Sequence, residues 1–107
     1  MVWHEQVRVE APNGDSYLID KRIRKMIKEF WKKGIPTEYS CQGGGEAGYG
    51  YILIRDCAKS RKFVRNAFDL MMDDPECCLN IERYKKVYIV RFPPNRHKLV
   101  YLALDGC

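Results

Sequence analysis

The segment Thr37-Glu38-Tyr39-Ser40-Cys41-Gln42-Gly43-Gly44-Gly45 gathers the residue types in this chain most able to do chemistry. A short β-prone run ends in a thiol, and three glycines follow at once. Cys41 could serve as a nucleophile, as a metal ligand, or as a small buried hydrophobe. A nucleophilic thiol needs a stabilised thiolate, supplied by a cation, a helix N-terminus or a base. In such an enzyme Cys41 and Ser40 are the catalytic candidates. The glycines permit positive φ and could turn backbone N–H groups toward an anion. Their run matches neither GxGxxG nor the P-loop, and no Lys-Ser/Thr pair follows it. The histidines are His4 and His97, near opposite ends of the chain, so only folding could bring a base to Cys41. The competing reading is a core cysteine at a strand end, followed by a glycine-rich hairpin loop.

Other chemistry-bearing residues are scattered. Cys41, Cys57, Cys77, Cys78, His4 and His97 show no recognised zinc spacing, so no metal site is expected. No cofactor motif is present either. Asp20 reads as a helix cap, and Asp73-Asp74 as a helix end. Tyr49 and Tyr51 fall on one face of a strand, because side chains alternate. With Arg55 and a basic helix they could stack bases, as single-strand binders do; otherwise they pack a sheet. No RRM, KH or zinc-finger signature is present.

Charge is the second feature. The net charge is +5, with 19 basic and 14 acidic residues. Lys21, Arg22, Arg24, Lys25, Lys28, Lys32 and Lys33 have only Glu29 among them, and Lys59, Arg61, Lys62 and Arg65 form a second cluster. Such clusters suit phosphate or an acidic protein surface; the alternative is a solvated helix face.

These residues must be positioned by a small scaffold. A length of 107 residues, 46% of them hydrophobic, fits one domain with one core. No run approaches the about 20 apolar residues of a membrane span, and Met1–Glu5 does not read as a signal peptide. An odd number of cysteines, five, with no CxxC, fits reduced thiols and a cytoplasmic protein without membrane partners.

The element pattern starts with a strand at Val7–Ala11, a Pro12-Asn13-Gly14-Asp15 turn and a short return at Tyr17–Ile19. Ile23, Met26, Ile27, Phe30 and Trp31 recur at helical spacing, which predicts a helix from about Asp20 to Lys33, stopped by Gly34. Strands follow at Glu38–Cys41 and Tyr49–Arg55, the latter apolar enough to be central. Ser60 is placed to cap a second helix, with Phe63, Val64, Ala67, Phe68, Met71 and Met72 as its apolar stripe. Leu79–Tyr84 and Val87–Phe92 form a hairpin around Lys85-Lys86. Asn95 is placed to cap a last helix through Leu104, with a strand over Leu99–Leu104 as competitor. The expected fold is a single α+β domain: a mainly antiparallel sheet, two principal helices on one face and a short C-terminal helix. The helix-strand-strand unit occurs twice, in the manner of a duplication.

From Ile19 to Arg55 the chain resembles part of the wybutosine-pathway tRNA methyltransferase family. The matching residues are Ile19-Asp20, Ser40-Cys41, Gly43 and the strand Tyr51–Ile54, while the family's arginine position is Gly44 here. That resemblance implies an RNA- or nucleotide-directed enzyme with Ser40, Cys41 and Gly43 near substrate. The stretch Gly34-Ile35-Pro36-Thr37-x-Tyr39-Ser40-Cys41-Gln42-Gly43 is also similar to small proteins of phages and mobile elements. This second resemblance implies a one-domain accessory protein, including inhibitors of host defence, that occupies a surface rather than catalysing. The leading expectation is such a non-enzymatic binder. Lys21, Arg24, Lys25, Lys28 and Lys32 would supply charge, Gln42, Gly43, Gly44 and Gly45 polar and backbone contacts, and Tyr49 and Tyr51 flanking surface. The partner would be a protein or nucleic acid with an acidic or phosphate surface. A sequence-tolerant nucleic-acid-binding module is the further alternative.

Overall fold

The architecture follows from where the apolar period changes between two and about 3.6 residues. The computed structural model describes residues 5–43 and 48–107. β1 (Gln6–Glu10) and β2 (Ser16–Asp20) pair antiparallel around the Asn13-Gly14 turn. There the Asp15 N–H donates to Asn13 Oδ1 at 3.0 Å. A 3₁₀ turn over Lys21–Ile23 leads into α1 (Arg24–Lys32). Ile23, Met26, Ile27 and Phe30 are buried, and Trp31 is half-buried with Nε1 donating to Thr37 Oγ1 at 2.9 Å. α1 stops at Gly34, whose φ of +80° is readily adopted only by glycine. The Gly34 N–H reaches the Trp31 carbonyl and the Ile35 N–H reaches the Phe30 carbonyl, each at 2.9 Å, a Schellman ending with Ile35 driven into the core.

β3 (Thr37–Cys41), β4 (Gly50–Arg55), α2 (Ala58–Asp73), β5 (Asn80–Tyr84), β6 (Val87–Phe92) and α3 (Lys98–Asp105) complete the chain. The four strands form an antiparallel sheet in the order β3-β4-β6-β5. Each helix-strand-strand unit therefore places its second strand at the centre, β4 against β6. One face of this sheet, with Ile52, Ile54, Tyr88, Val90 and Phe92, is buried in a single core with residues of all three helices. Phe30 of α1 meets Phe63 of α2 edge-on at 5.0 Å. Burying each such side chain contributes about 1.5–3 kcal/mol. The radius of gyration, 13.2 Å, matches the about 13 Å of a compact domain of this size. No helix among the described residues is long and apolar enough to cross a membrane.

Four local expectations are corrected. Asp20 does take the N-cap position of the first helical turn, but its side chain makes no cap bond there. Ser60 is the third residue inside α2 and Cys57 is the cap; the Ser60 hydroxyl accepts from the Cys57 N–H at 2.7 Å, closing the turn from within. His97, not Asn95, stands at the N-cap of α3, and the last segment is helix, not strand. Phe68 and Met72 are 46% and 81% exposed, because only the Phe63-Val64-Ala67 side of α2 meets the core.

Candidate docking site

The turn after β3 is tied to the start of α1 by an exchange of partners. Gln42, directly after β3, donates its backbone N–H to Asp20 Oδ2 at 2.9 Å, while its Oε1 accepts the Arg22 N–H at 3.1 Å. The helical turn is thus capped by a side chain 20 residues away. Gln6 Nε2 adds a bond to Asp20 Oδ1 at 3.1 Å, so the buried carboxylate joins β1, β2 and the turn. Buried carboxylates persist where hydrogen bonds replace their lost hydration.

Gly43 is buried at the base of the turn, with φ +74°. A Cβ there would lie 2.4 Å from the Gly50 nitrogen, and one on Gly50 would lie 2.5 Å from Phe92 Cε2. These two glycines exist to let backbone pass backbone. Gly44 and Gly45 lie outside the described residues.

Cys41 ends β3 opposite Tyr51, which stands opposite Arg91, which stands opposite Asn80. The row lies on the outward sheet face, where Tyr51 is 38% exposed and Cys41 and Arg91 are half-buried. His97 packs edge-on against Phe92 at 5.0 Å, and Phe92 belongs to the buried face. Cys41 and His97 are therefore on opposite sides of the sheet. His4 lies outside the described residues. Ser40 is opposite the buried Ile52, one position from the Cys41 row and on the other face.

Among the ionisable side chains, Cys57 is the thiol whose environment favours its charged form. Burial pushes it up, but hydrogen bonds from the Ser60 side chain, from the Ser60 and Lys59 backbone and the Arg61 charge bring it below the ordinary thiol value. By sequence Cys57 is a candidate metal ligand only; the Ser three residues later is the available signal. His97 is pushed down by burial, assisted by the Arg22 charge and opposed by a hydrogen bond with the Pro94 backbone. Tyr49 is exposed, and its phenol is pushed up by a hydrogen bond to Cys78, that thiol's charge and burial, against the Arg96 charge. Among the described residues no three His, Cys, Asp or Glu side chains gather as a metal-binding group.

The basic residues of α1 and of the sheet differ in their pairing, and on α2 Lys59, Lys62 and Arg65 are exposed with no ion pair among the described residues. Arg24, Lys25, Lys28 and Lys32 are exposed on α1, with Lys21 and Arg22 exposed in the turn before it. Among the described residues only Lys21 of this set has an ion pair, with Glu5 at 3.6 Å. On the sheet, Arg55 pairs with Glu38 at 2.9 Å and Arg91 with Glu82 at 3.0 Å. Arg61 and Arg83 converge on Asp56, each at 2.9 Å.

A cleft of about 1000 Å³, which sequence reading did not foresee, opens beside this helix between β2 and β3. Tyr17, Leu18 and Ile19 line one wall, and Thr37, Glu38, Tyr39 and Ser40 the other, with Trp31 and Ile35 also lining it. The Asp20–Gln42 bond joins the two strands at their C-terminal ends. No family model matches this chain, and neither a curated protein nor a solved structure matches it.

Proposed function

We propose that this protein is a small non-enzymatic binding module that docks the cationic side of α1 on an acidic protein surface. The observation that supports this is the set of five exposed cations, Arg22, Arg24, Lys25, Lys28 and Lys32, with no ion pair among the described residues. Like charges one helical turn apart, such as Arg24–Lys28 and Lys28–Lys32, destabilise a helix by about 0.2–0.5 kcal/mol per pair. A helix that carries this repulsion with only Glu29 to set against it is suited to an external anion. Exposed cations also steer encounter and select partners. Gln42 and Gly43 act in this reading by fixing the turn against the helix, since the Gln42 Oε1 is engaged by Arg22. In this reading the protein acts by occupying a surface of a host factor, as an inhibitor would.

The test is affinity capture from the native host with the wild-type chain and with Lys25→Glu/Lys28→Glu, followed by mass spectrometry of protein and nucleic acid. A protein captured by wild type, resistant to nuclease and lost with the variant, is the expected result. Equal capture by both at low salt would remove the reading. Capture abolished by nuclease, with a steep salt dependence, would move it to nucleic-acid binding, because phosphate contacts release counterions.

A further inference from the structure

We infer that the cleft between β2 and β3 receives an extended, acidic peptide segment of a partner protein, laid down as an added strand. Among the described residues, β2 is hydrogen-bonded to β1 and β3 to β4, each on one side only. Both strands line the same cleft, so two open backbone edges border one space. Open strand edges present N–H and C=O groups that pair readily with an incoming chain. Each strand has five residues, which spans about 17 Å of extended chain. The Asp20–Gln42 bond holds the edges together at one end and leaves the other end for entry.

The walls also suit a peptide. Leu18 is 58% exposed, Tyr39 69% and Tyr17 46%, and all three line this cleft. Alternate side chains of an added strand would cover them. A second, smaller hollow shares Ala11, Pro12 and Trp31 with the cleft and is bordered by Lys28 and Lys32. Those two ammonium groups have no ion pair among the described residues and outnumber Glu10, the one acid among the residues that line the hollow. A carboxylate-bearing end of the peptide is complementary there. A nucleic acid is disfavoured inside the cleft, because its cation, Arg55, is already held by Glu38, and that carboxylate would face the phosphates.

The charge part of this inference rests on the α1 reading above, while the strand-addition part stands on the cleft. The probe is a displayed library of random linear peptides selected on the whole protein. The best peptide is then titrated by fluorescence anisotropy and by backbone amide NMR. Enriched sequences should alternate apolar residues and carry Asp or Glu toward one end. Amide shifts should centre on Tyr17–Ile19 and Thr37–Ser40. Leu18→Asp and Tyr39→Asp, both at exposed positions, should each weaken binding at least tenfold with an unchanged melting temperature. Lys28→Glu/Lys32→Glu should weaken it several-fold, and Lys25→Glu, outside the hollow, should not. Failure to select any peptide, amide shifts away from the cleft, or equal occupation of the cleft by a single-stranded oligonucleotide overturns the inference. Loss in the lysine variant alone, with Leu18→Asp neutral, would overturn strand addition and leave the helix reading standing. Loss in Leu18→Asp alone would keep the strand and overturn the acidic assignment.

Discussion

Two parts of the surface carry comparable positive charge and treat it in opposite ways. On the sheet and its flank, Arg55, Arg91, Arg83 and Arg61 each meet a carboxylate at 2.9–3.0 Å. On α1, Arg24, Lys25, Lys28 and Lys32 meet none among the described residues. Exposed ion pairs contribute about 0–1 kcal/mol, so the sheet pairs add little to stability. What they do is cancel the field of that face. The outward sheet surface, with Tyr51 beside Arg91, is thereby less suited to phosphate than its composition suggests, whereas the field of α1 stays uncancelled by carboxylates among the described residues. The density of basic residues does not show which face keeps its positive field; the pairing of those residues does.

The contrast depends on the turn that holds α1 against β3, and the largest effect is expected there. Gly43→Ala forces a Cβ into the Gly50 backbone at a positive φ, and should cost on the order of 3 kcal/mol, read as a lower urea midpoint. A midpoint within error of wild type would show that the turn does not brace the helix. Asp20→Ala strips the Gln42 N–H of its acceptor and should cost about 1–3 kcal/mol by thermal unfolding, with faster hydrogen exchange at Gln42. Lys25→Glu/Lys28→Glu should leave stability unchanged or raise it by about 0.5 kcal/mol, because it relieves repulsion. Arg91→Glu, which places two acids together, should lower stability slightly and leave partner affinity intact. Equal affinity losses from the two changes would erase the distinction between the faces.

The smallest effect concerns His97. Its folded value lies below the ordinary 6.5, so the unfolded chain takes up the proton first as pH falls. Its contribution to stability is complete above about pH 6.5 and declines as pH drops toward the folded value. His97→Gln should flatten that part of the stability profile. Arg22→Ala should move the His97 titration upward by NMR, since the Arg22 charge helps hold it down. An unmoved titration would mean that the field of α1 does not reach the core.

Much of the fold was legible because it rests on local rules. Ile23, Met26, Ile27 and Phe30 share a helix face by spacing, and all four are buried. Gly34 stops α1 as its type and position imply, and Tyr51–Arg55 lies in the central strand β4. The surface proposed for docking was legible only in part. The cations of α1 were visible as a cluster, but their freedom from carboxylates was not. Glu38 is nearer in sequence to the end of α1 than to the Arg55 it neutralises, and Asp56 is about as far from α1 as from Arg83.

By itself the sequence determined the periodic elements, the turn at Asn13-Gly14, the stop at Gly34 and the net positive charge, because each arises from neighbours within about one helical turn or one hairpin. Only the tertiary structure decided that Gln42 caps the helix while Asp20 binds Gln42, that Cys41 and His97 are separated by the sheet, and that β2 and β3 enclose a cleft. Those outcomes join residues tens of positions apart. They depend on how the two sheets and the helices settle around a shared core, which no local spacing encodes.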